Sequence, residues 1–288
     1  MKKNTKKVLL LIGIVSCLAI LTIPCFVYEP LNLWVRCSVF KDSSALMRQA
    51  HLLFKQKEYE KARIIYWTAY SEAKKRNDDV TKSVAIYDLI TDWYDIKDYD
   101  VSIAAAEEEL RENPNSPIAL EYLGKNYDAL KNYEKAFSYY IRYVPSEIVN
   151  TKHDAKEVEP LPIWEEGKED KTTDRESYFY DDVVFRLAIF YTYGQGCSID
   201  LSKAANLWQY LDNHKSASAT YNLALCYLKG EGVPADESRC FQLCKKAADR
   251  GNKAAMKLLS ELYREGIGCS QSEEAANRWK KLAEENPE

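Results

Sequence analysis

Apolar positions recur along the chain with two spacings. Leu187, Leu223 and Leu259 are 36 residues apart, and each is followed four positions later by a tyrosine, Tyr191, Tyr227 or Tyr263. Leu-x-x-x-Tyr puts both side chains on one face of a helix. Each such segment then runs into Gly-x-Gly: Gly194 and Gly196, Gly230 and Gly232, Gly266 and Gly268. The first glycine of a pair can take the left-handed conformation that ends a helix. The second lets the chain pass a second helix without a Cβ clash. Asp200 and Asp236 stand where the N-cap of that second helix belongs. The spacing predicts an array of helical hairpins over 177–288, with the third hairpin one residue short in its loop.

A looser period occupies residues 44–145. Tyr59, Tyr99 and Tyr133 are 40 and then 34 residues apart, each at the head of a segment with small residues at helical spacing. Upstream lies a third pattern, 21 residues without a charge over 8–28, long enough for a helix to span a bilayer. Between the two arrays, residues 146–176 lose the pattern. They hold Pro160, Pro162 and the run EEGKEDKTTDRE, which reads as an exposed charged linker. The apolar island LPIW within it is expected to dock on one of the arrays.

The third unit of the first array has Leu123, Gly124 and Tyr127 on a first helix, Tyr133 at the turn, and Ala136 and Tyr140 on a second. This resembles the tetratricopeptide repeat, in which the glycine lets two helices approach closely. The first unit offers Ala50, Ala62 and Ala69 at the small positions. The second departs, with Ile90 at the small position and six extra residues before it. The 36-residue array resembles the Sel1-like repeat over about 185–286. The middle unit carries Leu223, Tyr227, Gly230, Gly232, Val233, Asp236, Ala247, Ala248 and Gly251. Cys197 and Cys269 replace the valine. Both resemblances imply an all-α superhelix of α-α hairpins that binds another protein, and neither implies a reaction.

Charge and composition narrow the setting. The net charge is −4, and falls to −8 without the four lysines among the first seven residues. A mildly acidic body argues against nucleic-acid binding. Those lysines before the apolar run predict a signal anchor, with residues 1–7 in the cytoplasm and the body on the extracytoplasmic, periplasmic side of a bacterial inner membrane. IVSC, ending at Cys17, resembles a lipobox, and a cleaved signal peptide is the other alternative; both also export the body.

Candidate chemistry is sparse. His51, His153 and His214 are far apart and show no metal-ligand spacing. Ser38 and Lys41 match Ser-x-x-Lys without the partner motifs a penicillin-recognising site needs. No catalytic residue, metal, cofactor or small-molecule substrate is expected. Counting outward from the turn near 233 places Cys226 opposite Cys240, so a disulfide there competes with two small buried thiols. Zinc at Cys226, Cys240 and Cys244 lacks a CxxC pair.

What remains is surface. The inward positions of the first array are Met47, His51, Lys55, Tyr87, Thr91, Tyr94, Asp95, Glu121, Lys125 and Asp128, a mixed lining able to hold a peptide or helix. Against this stands the reading that several of the tyrosines are interhelical core. The expected function is a membrane-anchored, non-catalytic scaffold or adaptor for a protein partner. The alternatives are an immunity protein neutralising a secreted antibacterial toxin in the periplasm, and an enzyme with an unrecognised site.

Overall fold

The computed structural model describes residues 42–150 and 180–285. Residues 8–28, most of the charged linker with its LPIW island, and His153 lie outside the described residues. Among the described residues every regular element is a helix, and no helix is long and apolar enough to cross a membrane. The chain divides into two compact units, 1–122 and 123–288.

The first unit holds α1 (Ser43–Lys55), α2 (Tyr59–Arg76), α3 (Asp79–Asp95), α4 (Tyr99–Glu112) and the beginning of α5 (Pro117–Ala129). Carboxylates cap α1 and α3. Asp42 accepts from the backbone N–H groups of Ser44 and Ala45, and Asp78 from that of Thr81. Tyr66, Leu89, Ile90 and Trp93 form its wholly buried centre. The rings of Phe54 and Tyr66 lie 5.2 and 5.5 Å from that of Trp93. Bulky Ile90 at the small position is accommodated because Ser102 faces it from α4 and donates to its carbonyl at 2.7 Å. The extra residues of this unit lengthen α2 to 18 residues and α3 to 17.

The second unit continues α5 and adds α6 (Tyr133–Tyr143), the short α7 (Ser146–Asn150), α8 (Asp181–Tyr193), α9 (Leu201–Asn213), α10 (Ala217–Lys229), α11 (Glu237–Asp249), α12 (Lys253–Glu265) and α13 (Glu273–Glu285). The expected linker therefore begins as a helical turn, α7. Gly124 packs as its motif implies: a Cβ there would meet the Tyr140 ring at 2.2 Å. Gly194, Gly230 and Gly266 end α8, α10 and α12 at φ 69°, 72° and 73°.

The second glycine of each pair acts differently from expectation. A Cβ on Gly232 would lie 2.0 Å from the Leu201 carbonyl oxygen, and one on Gly268 2.1 Å from that of Glu237. Leu201 and Glu237 open the second helix of the preceding hairpin, so the glycine serves stacking between repeats. Gly196 lies in the same way against Tyr133, the first residue of α6. The Tyr133 and Tyr140 rings contact Phe190 at 5.8 and 6.0 Å. The third hairpin of the first array and the first Gly-x-Gly hairpin thus pack directly.

The third Gly-x-Gly loop is not short. The backbone N–H of Ser272 donates to Tyr263 at 2.8 Å, as Asp200 does to Tyr191 and Asp236 to Tyr227, both at 2.9 Å. Ser272 takes the capping position, its hydroxyl accepting from the Ala275 N–H, as Asp200 and Asp236 do for α9 and α11. Trp208 is buried against Phe185, whereas Trp279 is only half-buried.

Candidate partner-binding faces

In the first unit α1 and α3 run side by side, tied at one end by Ser43 to Asp78 and further along by His51 to Asp88, both at 2.8 Å. His51, Lys55 and Tyr87 of the predicted lining are exposed on these two helices. Val80, Val84 and Tyr87 recur along α3 at helical spacing and are 77%, 43% and 51% exposed. Val80 lies in the turn that the extra residues add to α3. An apolar stripe left uncovered on a helix marks a surface for another molecule.

The predicted lining is partly this face and partly core. His51, Lys55, Tyr87 and Asp95 are exposed. Met47 and Thr91 are buried, and the Thr91 hydroxyl donates to its own helix at the Tyr87 carbonyl. Tyr94 packs edge-on against Tyr122 at 5.2 Å and lies 5.9 Å from Tyr99, so it joins helices. Glu121 is buried in the first unit, while Lys125 and Asp128 belong to the second. Asp128 is committed: the Arg186 guanidinium of α8 donates to both its oxygens, at 2.6 and 2.5 Å. A bidentate pair of this kind joins the two first helices and removes Asp128 from the set able to hold a partner.

Beneath the inner face lies a polar group that the sequence does not reveal. Asp88 and Asp92, four apart on α3, meet His51 of α1 and Tyr66 of α2. Burial, then the charge of Asp88, pushes the Asp92 carboxyl up to about 6, with Asp95 adding to the rise and His51 opposing it. Burial raises Asp88 too, against the hydrogen bond and charge of His51. The His51 ring stands edge-on to Tyr66 at 5.5 Å. Tyr66 is wholly buried, and burial followed by the charges of Asp88 and Asp92 raises its phenol. Its hydroxyl is aimed at Asp92 but falls short of well-formed hydrogen-bond geometry.

The second unit is held by a different kind of polar centre. Asp212 on α9, 2% exposed, receives Lys246 at 2.9 Å and Arg250 at 3.0 Å from α11, and the Thr220 hydroxyl at 2.7 Å from α10. Burial alone would raise the Asp212 carboxyl, but the bonds from Lys246 and Thr220 and the charges of Lys246 and Arg250 outweigh it and hold it below the usual range. His214 lies on Asp181 at 2.7 Å. An open depression of about 690 Å³ between the Lys131–Glu134 turn and the loop at Gly194 and Gly196 contains none of the predicted site residues.

The five described cysteines are free thiols, Cys226 and Cys240 among them, so the bridge weighed for that pair is not formed. Burial pushes both up to about 11, and Cys244, whose thiol donates to the Ala255 carbonyl, up to about 12. These are small buried side chains filling the hairpin core. Among the described residues no group of three or more His, Cys, Asp or Glu side chains is arranged to hold a metal ion.

Comparison with known proteins agrees with this architecture. The Sel1 repeat matches residues 183–210, 217–252 and 253–286, and the tetratricopeptide repeat matches 87–148. No curated protein matches the chain. A solved Sel1 repeat protein from Oxalobacter formigenes is similar at 17% identity and a TM-score of 0.49, over 68% of this chain and 69% of that one. A protective antigen present in uropathogenic Escherichia coli strains, displaying an SLR fold, is similar at 15% identity and a TM-score of 0.56, over 85% of this chain. This chain spans 46% of that antigen's length, and the likeness is one of fold. With both repeat types matched and their hairpins present in the structure, the chain belongs to the tetratricopeptide/Sel1-like repeat proteins.

Proposed function

We propose that this protein is a non-catalytic scaffold or adaptor that binds a partner polypeptide on the inner face of its stacked hairpins. Repeats of these two kinds are protein-binding modules. The observation that carries the reading here is the exposed stripe of Val80, Val84 and Tyr87 on α3, flanked by His51 and Lys55 of α1. A face of this composition, apolar along its centre and polar at its edges, suits a helix or extended peptide.

The scaffold reading extends to location. The uncharged run at 8–28 with four lysines before it supports a single-pass anchor that leaves the body outside the cytoplasm. Cross-linked capture of the tagged full chain from intact membranes tests both parts. A resident envelope protein recovered with the parent and lost with Tyr87→Ser supports the reading. A chain recovered in the soluble fraction contradicts the anchor. Capture unchanged by Tyr87→Ser contradicts the binding face.

A further inference from the structure

We infer that the seam between α1 and α3 receives a cationic side chain, a lysine or arginine, from the partner polypeptide whose apolar residues cover Val80, Val84 and Tyr87. The inference rests on the binding face proposed above and names the chemistry of its partner.

Asp88 and Asp92 share one turn of α3, and only Asp88 has a bonded counterpart, the His51 imidazole at 2.8 Å. Among the described residues no lysine or arginine bonds Asp92; the neighbouring carboxylates, Asp88 and Asp95, oppose its ionisation, and His51 favours it from a distance. Lys55 lies one turn beyond His51 on α1, is exposed, and bonds neither carboxylate. A half-buried carboxylate is costly without an opposite charge, and folded proteins normally supply one. Here the protein supplies only the His51 imidazole, which is bonded to Asp88.

The Tyr66 hydroxyl is an independent observation. It is wholly buried and points toward Asp92 without well-formed hydrogen-bond geometry. A buried hydroxyl left in this state is unusual in a settled core. A cation on Asp92 offsets the cost of its ionised form, which is the form that best accepts from that hydroxyl. The guanidinium or ammonium would occupy the open side of the carboxylate pair while Tyr66 closes its floor. The stripe at Val80, Val84 and Tyr87 lies on the same helix, so one amphipathic segment, apolar with a basic residue at its edge, meets both features. A partner with an acidic residue at that position would face Asp88, Asp92 and Asp95 and be rejected, which gives the face a charge selectivity.

The test is a random peptide library displayed on phage and selected on the immobilised full chain. Binders of the inner face are those lost on Tyr87→Ser. They are expected to carry lysine or arginine. Replacing that residue by norleucine or citrulline is expected to weaken binding to the parent about tenfold and to leave binding to Asp92→Asn nearly unchanged. Asp92→Asn is expected to melt at or above the parent temperature, so lost binding is not lost folding. Inner-face peptides without a basic residue, or an equal loss on parent and Asp92→Asn, would overturn this inference alone. A selection that yields no Tyr87-dependent peptide would overturn the binding face and this inference together.

Discussion

Gly232 approaches Leu201 so closely that a Cβ on the glycine would lie 2.0 Å from the leucine carbonyl oxygen. The contact joins a Gly-x-Gly loop to the first residue of the preceding hairpin's second helix. Gly232→Ala must therefore move backbone against backbone, in addition to straining a φ of 78°. The expected loss is about 2–4 kcal/mol in urea unfolding. Gly251→Ala is the control: its φ is 90°, but nothing lies within 4 Å of the added Cβ. A loss of only about 1 kcal/mol is expected there. Equal losses would show that conformation, and not stacking, selects the second glycine.

Asp212 joins three helices through Lys246, Arg250 and Thr220. Asp212→Ala is expected to cost about 3–5 kcal/mol, because it leaves the charges of Lys246 and Arg250 without their buried counter-ion. The Asp212 pKa is lowered in the folded state. Its stabilisation is thus full above the unfolded carboxylate pKa and is lost as pH falls through the lower folded value. The difference between parent and Asp212→Asn, measured by unfolding across that acid range, is expected to shrink as pH falls.

Lys57, Lys97 and Lys131 adopt φ of 62°, 65° and 60° in the turns of the first array. A left-handed conformation suits glycine and strains lysine. Lys97→Gly is expected to raise stability by about 0.5–1 kcal/mol, read as a higher urea midpoint at unchanged slope. A lower midpoint would mean that the Lys97 side chain makes a contact worth more than the strain.

Asp92 gives the opposite pH signature to Asp212. Its folded-state pKa is raised to about 6, so the folded state favours the protonated acid. The parent loses stability as pH rises from the unfolded pKa through about 6. Asp92→Asn escapes that loss and is expected to be the more stable protein at pH 7, by roughly 1 kcal/mol for a group still screened by water. The gap is expected to close by about pH 4. Urea unfolding at several pH values reads it directly.

The hairpins were legible because their determinants are local and repeated. Leu223, Tyr227, Gly230 and Asp236 each act within one turn or loop, and a fixed period exposes them. The Ser272 cap breaks the aspartate pattern of Asp200 and Asp236, although serine accepts the same backbone bond. The lysines at positive φ gave no signal, since lysine is not a turn residue by composition; only their shared place before Glu58, Asp98 and Asn132 could have revealed them. The inner face was half legible. Exposure of Tyr87 and His51 follows from helical register, but the Arg186 bond that occupies Asp128 spans 58 positions. Asp92 and Tyr66 come from different helices, and no spacing links them.

Placing a photo-crosslinking amino acid at position 87 on the inner stripe, and separately at Ile64, an exposed residue of α2, tests the central claim most directly in living cells. Binding on the inner face predicts a discrete crosslinked polypeptide from position 87 and none from position 64. The same adducts from both positions, or none from position 87, would contradict it.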